Sequence, residues 1–580
     1  MITKRGLARL WSNRLFILAA VLLLLSQSNL LAQDKAAKIQ EVLTLAHKYR
    51  QFNGAALVAQ NGQVIYKGAF GMANMEWVIP NAPDTKFRLG SITKQFTATL
   101  IMQLVEQGKI KLDGKLSDYL TDYRKDTGQK VTIHHLLTHT SGIPSYTGLP
   151  NFFNEVSRDP YKVDEFVKKF ASGDLQFEPG SKFAYNNSGY FLLGAIIEKV
   201  TGKPYEQVLQ ENIFDPVGMK NTGYDHHNTI LQKRAAGYDK TPDGYVNAPY
   251  LDMSLPYAAG SLYSTVEDLL LWDQVLYTDK ILSAKSKELM YTPFLEKYAY
   301  GWDVREAPFK ENGQPVPTIA HGGGINGFST FILRFPKEKY VIVLLDNTGQ
   351  PTDPLAEKIG RILYAQPYDL PKMSIVPVLS KTINDKGIEA GLAQYRELKL
   401  KESATYDFRE QELNQLGYIL MRAGKPKEAI EIFKLNVEAY PQAANPYDSL
   451  GEAYLSLNQR DLAIINYKKS VELNPANANA IEALKRLERP TVTVDAKAFD
   501  VYVGEYELAP GFVLRVFRDG EKLMTQATGQ PAVEIIAESE TVFSPRGVNA
   551  KLTFVKDGEG KVSGVRLDQG GRQMDGKKIK

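Results

Sequence analysis

The chain has 580 residues, too many for one core and enough for roughly three or four domains. Its 43% apolar and 10% aromatic fractions are those of a globular protein, and its lack of cysteine excludes structural disulfides and thiolate metal sites. The formal net charge is +4, but four bases lie before residue 33 with no acid among them, so the remainder is near neutral. That excludes a basic footprint for nucleic acid.

Residues 1–32 read as a secretory signal. Lys4, Arg5, Arg9 and Arg14 precede an apolar run of 11 residues, Leu15 to Leu25, and a short polar stretch ends near Ala32. A membrane span needs about 20 apolar residues, so the pattern favours export to the periplasm or cell envelope. Leu30 makes an imperfect cleavage site, which leaves an uncleaved membrane anchor as the alternative.

A helix is expected over 36–51, followed by a hairpin in which Asn61-Gly62 joins Ala55–Ala59 to Val64–Tyr66. Asn-Gly suits that turn because both positions must accept positive φ. Far downstream, Phe328–Leu333 and Tyr340–Leu345 form a second strand pair, and Ala356–Tyr364 reads as a closing helix. The stretch between the pairs reads as mostly helix and loop. The expected fold of 36–366 is thus α+β, an antiparallel sheet built from both ends with a helical insertion.

Past Pro371, Leu416, Gly417, Gly424, Ala429, Phe433 and Pro441 recur as Leu450, Gly451, Asn458, Ala463, Tyr467 and Pro475. The offset is 34 residues, the tetratricopeptide period. Two such helix pairs cannot bury their faces alone, so helices over 387–400 and 479–487 are expected to cap them within a segment spanning 384–490. The repeats offer a surface for a protein partner, and equally a spacer. From 491 to 580, β-rich runs alternate with turns, which reads as a small all-β domain or partial barrel.

Chemistry concentrates in three places. Ser91 and Lys94 lie at i and i+3 where a helix opens, on one face. A serine hydroxyl needs a nearby base, and a desolvated lysine can serve. Tyr185, in Tyr185-Asn186-Asn187, carries a phenol that gives up its proton more readily beside an ammonium, and Asn187 offers a donor and an acceptor for a substrate amide. His321-Gly322-Gly323-Gly324 leads into the strand at Phe328, and its glycines let backbone pass close to a substrate. The N–H groups of Ser91 and Gly324 would form an oxyanion hole. His135 and His139 stand at i and i+4, but no third ligand completes a zinc motif, so a structural role is expected and no metal or cofactor is called for.

In this order the motifs S-x-x-K, Y-x-N and His-Gly-Gly resemble those of the penicillin-recognising serine enzymes. The similarity is strongest to the group of class C β-lactamases, D-alanyl-D-alanine carboxypeptidases and related esterases. Residues 132–142, 189–198, 216–219 and 259–262 resemble further signatures of that group and extend the likeness over 36–365. The resemblance implies a β-lactamase/transpeptidase-like fold, with Ser91 acylated and Lys94 and Tyr185 managing protons. It also implies that Asn187 and the His321–Gly324 strand bind substrate and that water releases the acyl group. β-Lactamases of the group usually carry Lys-Thr-Gly where this chain has His321-Gly322-Gly323, and a histidine is mostly neutral at pH 7. The group's esterases and D-amino-acid peptidases more often have histidine there.

The expectation is therefore an exported serine hydrolase acting on D-alanyl peptides or small esters, with β-lactams as further candidates. A non-catalytic cell-envelope binding protein that recruits a partner through its repeats is the rival reading. Intact Ser91, Lys94 and Tyr185 weigh against it, because a scaffold needs none of them.

Overall fold

The computed structural model describes residues 33–241, 244–488, 496–546, 548, 550–570 and 572–580. The expected signal sequence lies outside the described residues. The chain divides into two compact units, up to Met373 and from Ser374 onward.

The first unit is built on one six-stranded antiparallel sheet. Helix α1 (33–48) leads into β1 (Gly54–Gln60) and β2 (Gln63–Phe70), joined by Asn61 and Gly62 at φ 49° and 79°. The other four strands come from far downstream: β3 (Asp303–Glu311), β4 (Gln314–Ile325), β5 (Phe328–Phe335) and β6 (Tyr340–Asp346). Their order is β3-β4-β5-β6-β1-β2, so the sheet closes where β1 meets β6, with Gly54 opposite Asp346 and Gln60 opposite Tyr340.

β1 and β6 are central and read as near-continuous apolar runs because both faces are covered. Side chains alternate along a strand. Ala56, Val58, Ile342 and Leu344 pack against Ile39, Leu43 and Ile359 of α1 and α5 (Asp353–Leu363). Ala55, Leu57, Val341, Val343 and Leu345 join the core of the insertion. Each of these Val, Leu and Ile side chains, fully buried, contributes about 1.5–3 kcal/mol.

The insertion supplies α2 (Thr93–Glu106), α3 (Ile133–Leu137) and α4 (Asn187–Thr201). α2 buries Phe96, Leu100, Ile101 and Leu104 in the stripe its spacing implies. The sequence reading missed the β3–β4 hairpin, although it turns on Asn312-Gly313 with φ 50° and 78°. Pro308, Pro315 and Pro317 argue against strand; Pro308 is tolerated on the edge strand β3, and Pro315 and Pro317 lie in the first part of β4, before its pairing with β5 begins at Ile319.

In the second unit, α6 (Val376–Lys386) and α7 (Ile388–Lys401) precede two helix pairs: α8 (Glu410–Arg422) with α9 (Pro426–Ala439), and α10 (Ala444–Ser456) with α11 (Arg460–Leu473). α12 (Ala478–Leu487) follows. The repeated positions do as their chemistry suggests. A Cβ on Gly417 would collide with the Phe433 ring, and one on Gly451 would stand 3.1 Å from Tyr467.

The C-terminal part is a closed eight-stranded barrel. Its strands are β7 (Gly504–Ala509), β8 (Phe512–Asp519), β9 (Lys522–Ala527), β10 (Val533–Ala537), β11 (Val542–Pro545), β12 (Ala550–Lys556), β13 (Val562–Gln569) and β14 (Arg572–Lys578). β14 pairs back onto β7 through Tyr506 and Lys578, so the barrel is complete rather than partial. Its interior is filled by Tyr502, Tyr506, Phe543 and Phe554 with surrounding aliphatics.

Candidate active site

Ser91 sits in a single 3₁₀ turn, Gly90–Ile92, and Lys94 lies in the first turn of α2. Gly90 adopts φ +53°, and a Cβ there would stand 3.0 Å from the backbone of Gly324. The glycine thus brings the serine turn against β4.

Lys94 is completely buried. Its Nζ lies 3.0 Å from Ser91 Oγ, 2.8 Å from Asn187 Oδ1 and 2.8 Å from the Ala259 carbonyl oxygen. Burial holds its pKa well below the ordinary lysine value. When deprotonated, its amine has two N–H bonds and one lone pair. The two carbonyl oxygens can only accept, so they take the two N–H bonds and leave the lone pair facing the Ser91 hydroxyl.

Tyr185 precedes α4, and Ser91 is close enough to its hydroxyl to offset part of the effect of burial on the phenol. Burial of its oxygen pushes the phenol upward, opposite to the acidified phenol expected from sequence, while the ring remains 42% exposed. That exposure tempers the push, and the phenol is protonated at neutral pH. The Lys94 Nζ lies 4.9 Å from the Tyr185 ring centroid.

Asn186 caps α4 by accepting the Gly189 N–H at 3.0 Å. Asn187 is engaged at both ends: Oδ1 accepts from Lys94, and Nδ2 donates to Thr147 Oγ1 at 3.2 Å. In this state its amide orients the lysine.

Ser91, Asn187 and Gly324 line one cavity of about 380 Å³. Its walls are largely apolar, with Tyr146, Phe152, Phe153, Leu251 and Leu255 among them, and no Lys, Arg or His lines it among the described residues.

The His321 side chain does not reach this cavity. Its Nδ1 is 2.6 Å from the Gly322 carbonyl oxygen and must donate, so Nε2 accepts from the Tyr298 hydroxyl at 2.9 Å. Burial, with the Lys94 charge second, lowers its pKa to about 4. Gly322 and Gly323 lie on the same strand outside the cavity lining, and Gly324 is where β4 meets the cleft.

His135 caps α3, its Nδ1 accepting the Thr132 N–H at 3.2 Å. Among the described residues no group of three or more His, Asp or Glu side chains is placed to hold a metal ion.

Ala259 and Tyr298 are site components that side-chain reasoning missed. Ala259 acts through its carbonyl, and its only signal is the Ala-Gly-Ser-Leu stretch. Tyr298 lies outside every motif.

Comparison with known proteins identifies the family of the first unit. A family model described as Beta-lactamase matches residues 36–366, more than half the chain. A tetratricopeptide repeat model matches 444–477, and a domain family of unknown function matches 488–580. Penicillin-binding protein 4* of Bacillus subtilis (strain 168) is 32% identical over 59% of this chain and 78% of its own. The crystal structure of a penicillin binding protein from Bacillus halodurans superposes with a TM-score of 0.50 at 28% identity, over 55% of this chain and 99% of that one. An octameric penicillin-binding protein homologue from Pyrococcus abyssi shares the fold, with a TM-score of 0.50 at 21% identity over 93% of this chain and 99% of its own. The chain belongs to the Beta-lactamase family of serine hydrolases.

Proposed function

We propose that the protein hydrolyses uncharged esters and amides through an acyl-Ser91 intermediate. The observation that carries this reading is the placement of Lys94 Nζ, 3.0 Å from Ser91 Oγ with its two other partners both carbonyl oxygens.

Lys94 takes the Ser91 proton as Oγ attacks the substrate carbonyl carbon. The N–H groups of Ser91 and Gly324 face the developing oxyanion. As the acyl–leaving group bond breaks, Tyr185 gives its proton to the departing oxygen or nitrogen and regains one from the Lys94 ammonium. Water then attacks the acyl-serine by the reverse sequence, restoring Ser91.

The preference for uncharged substrates rests on the cavity. A free carboxylate beside the scissile bond, as in D-alanyl-D-alanine peptides and β-lactams, needs a cationic partner. His321 is neutral and occupied at both nitrogens, and it is not among the residues that line this cavity. Small esters and amides therefore come first and carboxylate-bearing substrates second. The N-terminal run from Lys4 to Leu25 supports action outside the cytoplasm.

The test is Ser91→Ala, expected to abolish both hydrolysis and labelling by a fluorophosphonate probe. Undiminished labelling would sink the assignment. A panel of p-nitrophenyl esters, D-alanyl-D-alanine peptides and nitrocefin then ranks the substrates, and fastest turnover of the peptides would overturn the preference.

A further inference from the structure

His139 does more in this structure than fill space. It is buried at 1% exposure and adopts φ +58°, a left-handed conformation uncommon outside glycine, though less so for Asn, Asp and His than for other residues. Its carbonyl oxygen accepts the Ala184 N–H at 2.9 Å, and its Nδ1 accepts the Asn186 N–H at 3.0 Å. Those are the residues on either side of Tyr185. Its ring centroid lies 4.2 Å from that of Tyr185 and 4.5 Å from that of Tyr298.

The same histidine therefore holds the backbone before and after the tyrosine and braces the ring between. Because Nδ1 accepts a backbone N–H, the neutral ring carries its proton on Nε2, and Nε2 has no hydrogen-bond partner among the described residues. A buried N–H left unpaired is a cost that an apolar residue in this place would avoid. Burial, with Lys94 and His321 nearby, keeps the ring neutral, which preserves Nδ1 as an acceptor.

Neighbouring bonds show that the anchoring is local and directional. The Gly180 N–H donates to the Thr140 carbonyl at 2.8 Å, and Asn187 N–H to Ser145 Oγ at 3.1 Å. The stretch from His139 to Ser145 is thus laced to the segment that carries Tyr185 and Asn187, and His139 grips it at the tyrosine.

We infer that His139 is a positioning residue, which fixes the Tyr185 phenol where it delivers its proton to the leaving group. In that step the phenol O–H bond breaks, a bond from hydrogen to the leaving group forms, and the phenolate is reprotonated from Lys94. The inference rests on the acyl-serine reading above, and its signature is dependence on leaving-group basicity. A p-nitrophenolate departs without a proton, whereas an ethoxide needs one.

The experiment measures kcat/KM, which reports acylation, for the p-nitrophenyl and ethyl esters of one acid in the full-length protein. His139→Leu is expected to lower the ethyl ester value at least tenfold more than the p-nitrophenyl value. Tyr185→Phe should show the same pattern, and adding His139→Leu to it should cost little more. An Asn side chain places an acceptor where Nδ1 stood and should recover most of the loss, whereas Gln should not. Equal losses on both esters, or losses that multiply in the double variant, would overturn the inference. If His139→Leu does not fold, the Asn and Gln variants decide, and equal ethyl ester rates in those two overturn it. Ser91→Ala run alongside separates the two levels: hydrolysis by that variant refutes the nucleophile, whereas an inactive Ser91→Ala with an unmoved ester ratio refutes only His139.

Discussion

Gly323 lies so close under Leu89 that a Cβ on the glycine would collide with the leucine's carbonyl oxygen and with Thr330 Oγ1. Thr330 Oγ1 already donates to that carbonyl at 2.7 Å, so neither neighbour is free to give way. Gly323→Ala should push β4 away from the serine turn and misplace Gly324 relative to Ser91. A displacement near 1 Å in such a site costs about 100-fold in rate. Ester kcat/KM is expected to fall by about that factor. Retention of full activity with an unchanged melting temperature would refute the close packing.

If Lys94 is the base of the proposed acyl-serine reaction, activity should track its deprotonated form. Its pKa is depressed by burial, and kcat/KM should therefore rise with pH to a plateau well before the ordinary lysine value of 10.5 and fall as pH drops through the depressed value. Lys94→Arg should be inactive at every pH, because a guanidinium does not surrender its proton. A pH–rate profile of the wild type and single-point assays of the variant check both statements.

His321 links stability to acid. Its pKa is about 4 in the folded chain against 6.5 unfolded, so between those values the unfolded chain binds the extra proton. The contribution of His321 to stability should thus fall as pH drops from 6.5 to 4 and level off below, a decline on the order of 3 kcal/mol. Denaturant midpoints at pH 7 and pH 4.5 for wild type and His321→Asn read the difference, and the variant should have the shallower slope. His135, whose pKa is also about 4, leaves a residual slope in both proteins.

The parts of this molecule that could be read from sequence are those whose cause is local. Asn61-Gly62 announces its own turn, and the pairing of Gly417 with Phe433 and Gly451 with Tyr467 follows from helix geometry within one repeat. Ser91, Lys94 and Tyr185 were legible because three spaced motifs occurred in order. What escaped depends on distant chain. The polar strand Arg572–Lys578 carries no apolar alternation and exists because β7 and β13 need a partner between them. His321 was expected to meet substrate; in the structure its ring nitrogens are engaged by the Tyr298 hydroxyl and the Gly322 carbonyl, contacts that no motif marks. The Ala259 contact is made by backbone, which residue type does not mark.

Arg334 and Asp273 form a nearly waterless ion pair, Nε to Oδ1 at 2.6 Å with side chains 2% and 0% exposed. The guanidinium also donates to Tyr291 Oη at 3.1 Å and lies 5.6 Å from the Trp302 ring centroid. Removing one partner of such a pair strands the other charge and costs about 3–5 kcal/mol. Asp273→Ala should lower the denaturant midpoint accordingly, and a shift below about 1 kcal/mol would place water at the pair.

The sheet that carries Gly324 is sewn from the two ends of its unit, with Gly54 opposite Asp346. Ser91 is therefore made long before β4 and β6, the strands that complete its surroundings. A nascent chain holding the nucleophile, the lysine and the tyrosine has no assembled cleft until its last sheet strand has joined β1. Assembly of the cleft is thereby timed by topology: a chain ending between Phe328 and Tyr340 would carry every motif yet lack the strand Tyr340–Asp346 that joins β1, and is expected to be inactive.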